Sequence, residues 1–316
     1  MSRERETGGG VLRENDTGRA FVVLQTDFGL NWGAVASMYG VCKQVDPRLE
    51  IFDLSHTIEQ FNTMAASGCL QYTIKYWPVG TVFVSVVDPG VGTPRRACVA
   101  RTSNGYYIVT PDNGTLTHVK AMYGIDEVRE IDESVNRYPG SEGVNVFHGR
   151  DLFAYCAARL ASGIITFEEV GPAYPTEEII VHELVYGTVS EGVAEGQIDE
   201  ALEKFGNIST NILIEDFRKT GIREGETVRV RIYHDGTAVY DDSVLYHRSF
   251  GFVEIGKPVL FNGLASFMAV GLNQRSFAEK YGIKGGAGWT IRITKEGYAE
   301  KESRMEERQI EREEDA

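Results

Sequence analysis

The segment Ala20–Thr26 (AFVVLQT) is an almost continuous apolar run, broken off at Asp27-Phe28-Gly29. Such a run reads as a strand covered on both faces, since a half-exposed strand would alternate. The next stretch, GAVASMYGVCKQV, has helical spacing, and a short strand follows at Glu50–Leu54. A helix is predicted from Asn62 to Tyr76, then a strong strand, TVFVSVV, at 81–87. Alternation of buried strands with helices predicts a parallel or mixed sheet with helices on both faces, a Rossmann-like layered arrangement. ACVARTS and YYIVT flank Asn104-Gly105, a hairpin signal. After Arg150, DLFAYCAARLASG returns to helical periodicity and stops at glycine.

From about residue 185 the pattern changes. ISTNILIE, TVRVRIYHDGTAVY, FVEIG, ASFMAVG and WTIRITKE read as strands, with Asp235-Gly236 as a hairpin turn. A smaller all-β domain, barrel-like or a sandwich, follows from this. The expected division is a disordered tail at 1–19, an α/β domain at 20–184, an all-β domain at 185–298 and a charged tail at 299–316. Gly171–Thr188, with two prolines and several acids, reads as the linker.

Composition narrows the function. The 316 residues are 42% hydrophobic and 25% charged, ordinary for a folded protein. A net charge of −14 argues against a broad nucleic-acid footprint, which needs clustered cations, but leaves room for a small ligand. No apolar run reaches the roughly 18 residues of a membrane span. The N-terminus has no secretory apolar core, so a cytoplasmic location is expected. Cys42, Cys69, Cys98 and Cys156 lie in apolar segments without CxxC spacing, and read as buried free thiols. The His residues are scattered, so no metal site is expected.

The candidate chemistry lies in turns. Thr26-Asp27-Phe28-Gly29, Asp88-Pro89-Gly90-Val91-Gly92-Thr93 and Pro111-Asp112-Asn113-Gly114 each follow a strand of the first domain. Ligands of such sheets bind beyond the carboxyl ends of the strands. A carboxylate there can accept both hydroxyls of a ribose, and glycines allow close backbone approach. Any one of these turns alone would pass as a tight turn. Three at one edge point to a ligand. None matches a dinucleotide or P-loop fingerprint. A fourth element, Val146-Phe147-His148-Gly149-Arg150-Asp151, opens a helix. His148 could be only a cap, and Arg95 and Arg96 only surface cations.

In the order TDFG, IFDLSH, VVDPGVGTPRR, TPDNG and FHGRD, the chain resembles the S-adenosyl-L-methionine (SAM) hydroxide adenosyltransferase family, relatives of the SAM-dependent fluorinases and chlorinases. The resemblance spans about residues 20–295, and the second domain joins it through Lys204-Phe205-Gly206-Asn207-Ile208 and the stretch Ser266–Gln274. It implies attack of water at the ribose C5′ of SAM, giving adenosine and L-methionine. SAM is then substrate, and no cofactor is implied. The family's Asp-Arg-His constellation falls on Asp88, Arg95 and His148. A sulfonium leaves as a neutral thioether and needs no acid. Arg95 would favour developing hydroxide, Asp88 would orient Arg95, and His148 would position the water or relay its proton.

The resemblance further places Asp27 and Phe28 at the ribose end, with Phe61 on the sugar and Phe147 and Gly149 beside the reacting carbon. Phe205 would stack on adenine, Asn207 would bond its edge, and Gln274 would lie near. A homotrimer or dimer of trimers is implied, with the active site at the subunit interface. In the halogenase branch the positions of Asp88 and His148 differ, and the fluorinase places a serine where this chain has Gly149, so hydrolysis is favoured over halide transfer. A non-catalytic SAM or adenosine module is the third reading. Trp32 and Ala34, and Gly263, Leu264 and Ala265, depart from residues that relatives use at the methionine end.

Overall fold

The computed structural model describes residues 18–202 and 205–298. The tail readings for 1–17 and 299–316, and Lys204 of the KFGNI motif, lie outside the described residues. Arg19, placed in the first tail, pairs with Asp46 at 2.6 Å, because the neighbouring strand start already docks it. The chain divides into two compact units, Met1–Leu184 and Val185–Ala316.

The first unit is a mixed seven-stranded sheet. Its strands are β1 (Val22–Thr26), β2 (Ile51–Ser55), β3 (Val82–Val86), β4 (Ala97–Thr102), β5 (Tyr107–Pro111), β6 (Ile125–Glu130) and β7 (Ala173–Tyr174). The order is β2-β1-β3-β5-β4-β6-β7; β2, β1, β3 and β5 run parallel and the rest antiparallel. Helices α1 (Ala34–Val45), α2 (Thr63–Ile74), α3 (Thr117–Tyr123), α4 (Glu133–Asn136) and α5 (Tyr155–Ala161) complete it.

Continuous apolar strands suit this layering because both faces are buried. Val22, Leu24, Val82 and Val84 pack with Met38, Cys42 and Ala157 of α1 and α5. Val23 and Phe83, one position out of phase, pack with Leu70, Ile74 and Val119 of α2 and α3. Gln25 is fully buried on the α2 side, where its amide donates to the Ala66 carbonyl and to Ser85 Oγ at 2.9 Å each. The α2 start follows a sequence signal, Asn62 capping the Ala65 N–H at 2.8 Å.

The second unit holds β8 (Thr188–Ser190), β9 (Val193–Leu202), β10 (Asn207–Leu213), β11 (Thr227–His234), β12 (Thr237–Tyr246), β13 (Pro258–Asn262), β14 (Phe267–Leu272) and β15 (Trp289–Lys295). Their order, β10-β14-β13-β12-β11-β15-β9-β8, closes through a β9–β10 pairing into a barrel, with β8 outside the ring. Closure removes the exposed sheet edge. Val228, Val230, Ile232, Ile291 and Ile293 fill the interior at period two. Asp235 and Gly236 both take positive φ (47° and 78°), the geometry a two-residue hairpin demands.

Two expectations are corrected. Gly171–Thr188 is not a free linker over its first half: Ala173–Tyr174 pairs with β6, and Ile179 is buried. The anchor is Asp112, which accepts from Tyr174 Oη at 3.0 Å and from the Ile180 N–H at 2.9 Å. FVEIG is not a strand. Phe250–Phe252 form a 3-10 turn, and the pairing strand is the following PVLFN, because Gly256 turns the chain with φ 78°. Among the described residues no helix is long and apolar enough to cross a membrane.

Candidate active site

Parallel strands β1, β3 and β5 bring the three turns to one sheet edge. They do different work there. Asp112 of the third turn is consumed by the Tyr174 and Ile180 contacts, and burial pushes its carboxyl above the usual range. Asn113 donates to the Val87 carbonyl at 2.9 Å, which fixes the end of β3 immediately before Asp88. The third turn thus supports the second.

At the second turn Asp88 and Arg95 form a fork. Arg95 Nε donates to Asp88 Oδ1 at 3.0 Å and Nη2 to Oδ2 at 2.6 Å. Their side chains are 10% and 4% exposed, so Arg95 is no surface cation. Planar pairing with two bonds is what guanidinium and carboxylate favour. Arg95 also lies 5.2 Å from the Phe153 ring centroid. Arg96, by contrast, reaches out to Glu178 at 2.7 Å.

Arg95 Nη2 also contacts His148 Nδ1 at 3.0 Å. A guanidinium only donates, so Nδ1 is the acceptor, and the neutral ring carries its hydrogen on Nε2. Burial, and then the Arg95 charge, lower the His148 pKa, which favours that neutral ring. Nε2 is buried and finds no partner among the described residues. The free end of this triad is therefore a donor. The one carboxylate of the cluster is engaged by Arg95, and the open hydrogen-bonding group of His148 is an N–H.

His148 precedes a π-helical turn, Gly149–Ala154, that leads into α5. Wide turns of this kind occur often at functional sites. Arg150 pairs with fully buried Asp151 at 2.6 Å and covers the Phe147 ring at 4.7 Å. Phe28 meets Phe147 edge-on at 5.8 Å between centroids. A Cβ on Gly149 would stand 2.9 Å from Phe28 Cζ, so only glycine lets the ring lie there. Asp27, at the same turn, accepts the Phe61 N–H at 3.0 Å. Phe61 holds φ 67° and is 59% exposed, a strained and solvent-facing aromatic. Direct contacts thus link Asp88, Arg95 and His148, link Phe28, Phe147 and Gly149, and link Asp27 with Phe61.

In the second unit Phe205 is exposed, and Asn207 begins β10 with its Oδ1 buried and without a partner among the described residues. Gly271 of β14 clears the space for that oxygen, since a Cβ there would overlap it. Gln274 lies exposed in the turn after β14, at the barrel end where Asn207 sits. Sequence reasoning missed Gly271, because a glycine inside a strand gives no sign of what approaches it. It also missed Asn113 and Phe153 as supports of the triad. Trp32 is exposed, and with Tyr39 and Asp53 lines a groove of about 520 Å³.

A layered α/β unit with a donor-lined, buried Asp-Arg-His cluster, followed by a closed barrel, defines a two-domain enzyme-like architecture. The comparisons give it a family. Residues 22–171 match the SAM hydroxide adenosyltransferase N-terminal domain, and residues 200–290 its C-terminal domain. The chain is 34% identical over 223 residues to an (R)-S-adenosyl-L-methionine hydrolase of Methanocaldococcus jannaschii, covering 67% of this chain and 73% of that one. It is 28% identical to a fluorinase of Actinoplanes sp., covering 88% and 98%. A crystal structure of an uncharacterized conserved protein from Thermotoga maritima superimposes with a TM-score of 0.79 at 33% identity, over 87% and 100% of the two chains. The chain belongs to the SAM hydroxide adenosyltransferase family.

Proposed function

We propose that this protein hydrolyses SAM to adenosine and L-methionine, with Asp88, Arg95 and His148 as the catalytic residues. The observation that carries the reading is the buried Arg95 fork, which bonds Asp88 and His148 at once and leaves His148 Nε2 unpartnered. Two donors hold a water oxygen through its lone pairs and favour the charge that grows as it becomes hydroxide. The oxygen–C5′ bond forms while the C5′–S bond breaks. Sulfur takes the electron pair, methionine leaves as a neutral thioether, and one water proton passes to solvent. His148 acts as a donor, because Nδ1 accepts from Arg95 and Nε2 already carries the hydrogen; a ring able to accept a proton at Nε2 would carry its hydrogen on Nδ1, against the Arg95 donor.

Asp27 holds the ribose hydroxyls, with Phe28, Phe61, Phe147 and Gly149 around the sugar. Phe205, Asn207 and Gln274 of a neighbouring copy take the adenine, in a homotrimer or dimer of trimers. SAM is the substrate, no cofactor takes part, and the enzyme works in the cytoplasm. The R epimer at the sulfonium is the preferred substrate, supported by the name of the hydrolase relative.

Halide transfer is the second reading, supported by the fluorinase relative. Against it stands Gly149, where a side chain would press on Phe28. The test is incubation of purified protein with each SAM epimer in ¹⁸O-water, with and without chloride. Adenosine carrying ¹⁸O at its 5′ oxygen is expected. Chlorinated nucleoside would favour halide transfer, and unchanged SAM with adenosine bound would reduce the protein to a binding module.

A further inference from the structure

We infer that His56 is a positioning residue for the ligand site, holding the Thr26–Gly29 turn through two bonds. The inference rests on the reading that Asp27 and Phe28 line that site. The β1–β2 ladder ends at Gln25 opposite Ser55, with a register irregularity just before it. Beyond that point strand pairing no longer fixes the turn. His56, the next residue after Ser55, takes over. Its carbonyl accepts the Gly29 N–H at 2.7 Å. Its ring Nδ1 lies 2.8 Å from Thr26 Oγ1, and the same oxygen accepts the Phe28 N–H at 3.2 Å.

The direction of each bond follows from its outer end. The Asp53 carboxylate Oδ1 lies 2.7 Å from His56 Nε2 and accepts the Tyr39 hydroxyl at 2.6 Å. A carboxylate accepts, so Nε2 carries the hydrogen, and in the neutral ring Nδ1 is the acceptor. The Thr26 hydroxyl then donates to Nδ1, which leaves its lone pairs turned to the Phe28 N–H. Every bond in the chain is compatible with the next. Thr26 is fully buried and His56 is 4% exposed, so water cannot replace these partners freely. Freed from this grip, the turn would carry Asp27 away from Phe61 and Phe28 away from the Gly149 surface beside His148.

The experiment measures adenosine affinity by calorimetry and SAM turnover for wild type, His56→Phe, Thr26→Val and Thr26→Ser. His56→Phe keeps ring volume and loses both ring bonds. It is expected to raise the adenosine Kd and the KM about tenfold, the scale of one or two lost hydrogen bonds. Thr26→Val should do the same, and the double variant should be no worse than the worse single, as for one shared contact. Thr26→Ser keeps the hydroxyl and should restore most of the affinity. Nitrogen NMR of the imidazole should show the Nε2–H form. If His56→Phe does not fold, Thr26→Val carries the test alone. Wild-type adenosine affinity in folded His56→Phe and Thr26→Val would overturn the inference. Adenosine affinity lost in both variants, with no SAM turnover by wild type, would sink the proposed hydrolysis and leave the positioning role standing.

Discussion

His56 follows β2 and His148 precedes the Gly149–Ala154 turn of the same α/β unit; both are buried, and in the neutral ring both use Nδ1 as acceptor with hydrogen on Nε2. They differ at that hydrogen. His56 gives it to Asp53 at 2.7 Å, so both ring nitrogens are engaged. His148 has Arg95 on Nδ1 and, among the described residues, no partner on Nε2. A buried donor without a partner costs about 1–3 kcal/mol, and a fold keeps one where a ligand relieves it. On the proposed reading, the satisfied ring belongs to the scaffold and the unsatisfied ring faces the chemistry. Their acid–base surroundings differ likewise, a carboxylate on one ring and a guanidinium on the other.

The sharpest way to break this contrast is at the shared guanidinium. Arg95→Ala removes a charged donor and strands buried Asp88. We expect kcat to fall on the order of 10³-fold, the upper scale for one oxyanion donor. Stability should fall by about 3–5 kcal/mol, as for a broken buried ion pair, read from denaturant midpoints. Unchanged turnover in a folded Arg95→Ala protein would remove the triad from the mechanism. His148→Ala should cost about 10²-fold in kcat with little change in KM. His148→Gln then sharpens the assignment, because an amide can donate but is a negligible base. Recovery of a good part of the rate supports a donor, and a rate as low as alanine's supports a proton relay.

A pH profile probes the same ring. Burial and the Arg95 charge are the largest influences and lower the His148 pKa; Glu133 opposes them, Arg137 lowers it further, and Asp88 opposes least. The neutral form is the working one, since protonation puts a hydrogen on Nδ1 facing Arg95. Activity is therefore full above the usual histidine value of about 6.5 and is lost as pH falls through the depressed value below it. The acid limb of kcat/KM should lie under pH 6.5 and vanish in His148→Gln.

Much of this contrast was legible in the residues. The buried strands announce themselves as unbroken apolar runs, and Asp235-Gly236 as a two-residue turn, because both are local rules. The triad became visible only through motif order, since Asp88 and His148 are sixty positions apart and nothing in their spacing brings them together. Asp112 shows the limit most clearly. A carboxylate at the ligand edge of a sheet reads like a ligand residue, yet its partners, Tyr174 and Ile180, come from a stretch whose composition suggests a linker. FVEIG failed for a related reason, its apolar alternation being overridden by the turn at Gly256. Local pattern reports propensity, whereas tertiary partners decide which polar group remains free.

The smallest expected effect tests whether the wall beside His148 is as tightly set as its hydrogen bonds. In Gly149→Ala the new Cβ would meet Phe28 Cζ at 2.9 Å and Val86 Cγ1 at 3.5 Å. Val86 is a buried strand residue and cannot retreat, so the Phe28 ring must swing, and it stands against Phe147. Overpacking of this kind costs about 1–3 kcal/mol. Part of that cost should appear as a several-fold rise in KM, because Phe28 adjoins Asp27, while kcat falls less, because the atoms the new Cβ meets do not include Arg95. Phe28→Leu combined with Gly149→Ala should relieve the clash and recover stability. If Gly149→Ala alone leaves both Tm and KM at wild-type values, the ring is free to move and does not define the pocket wall.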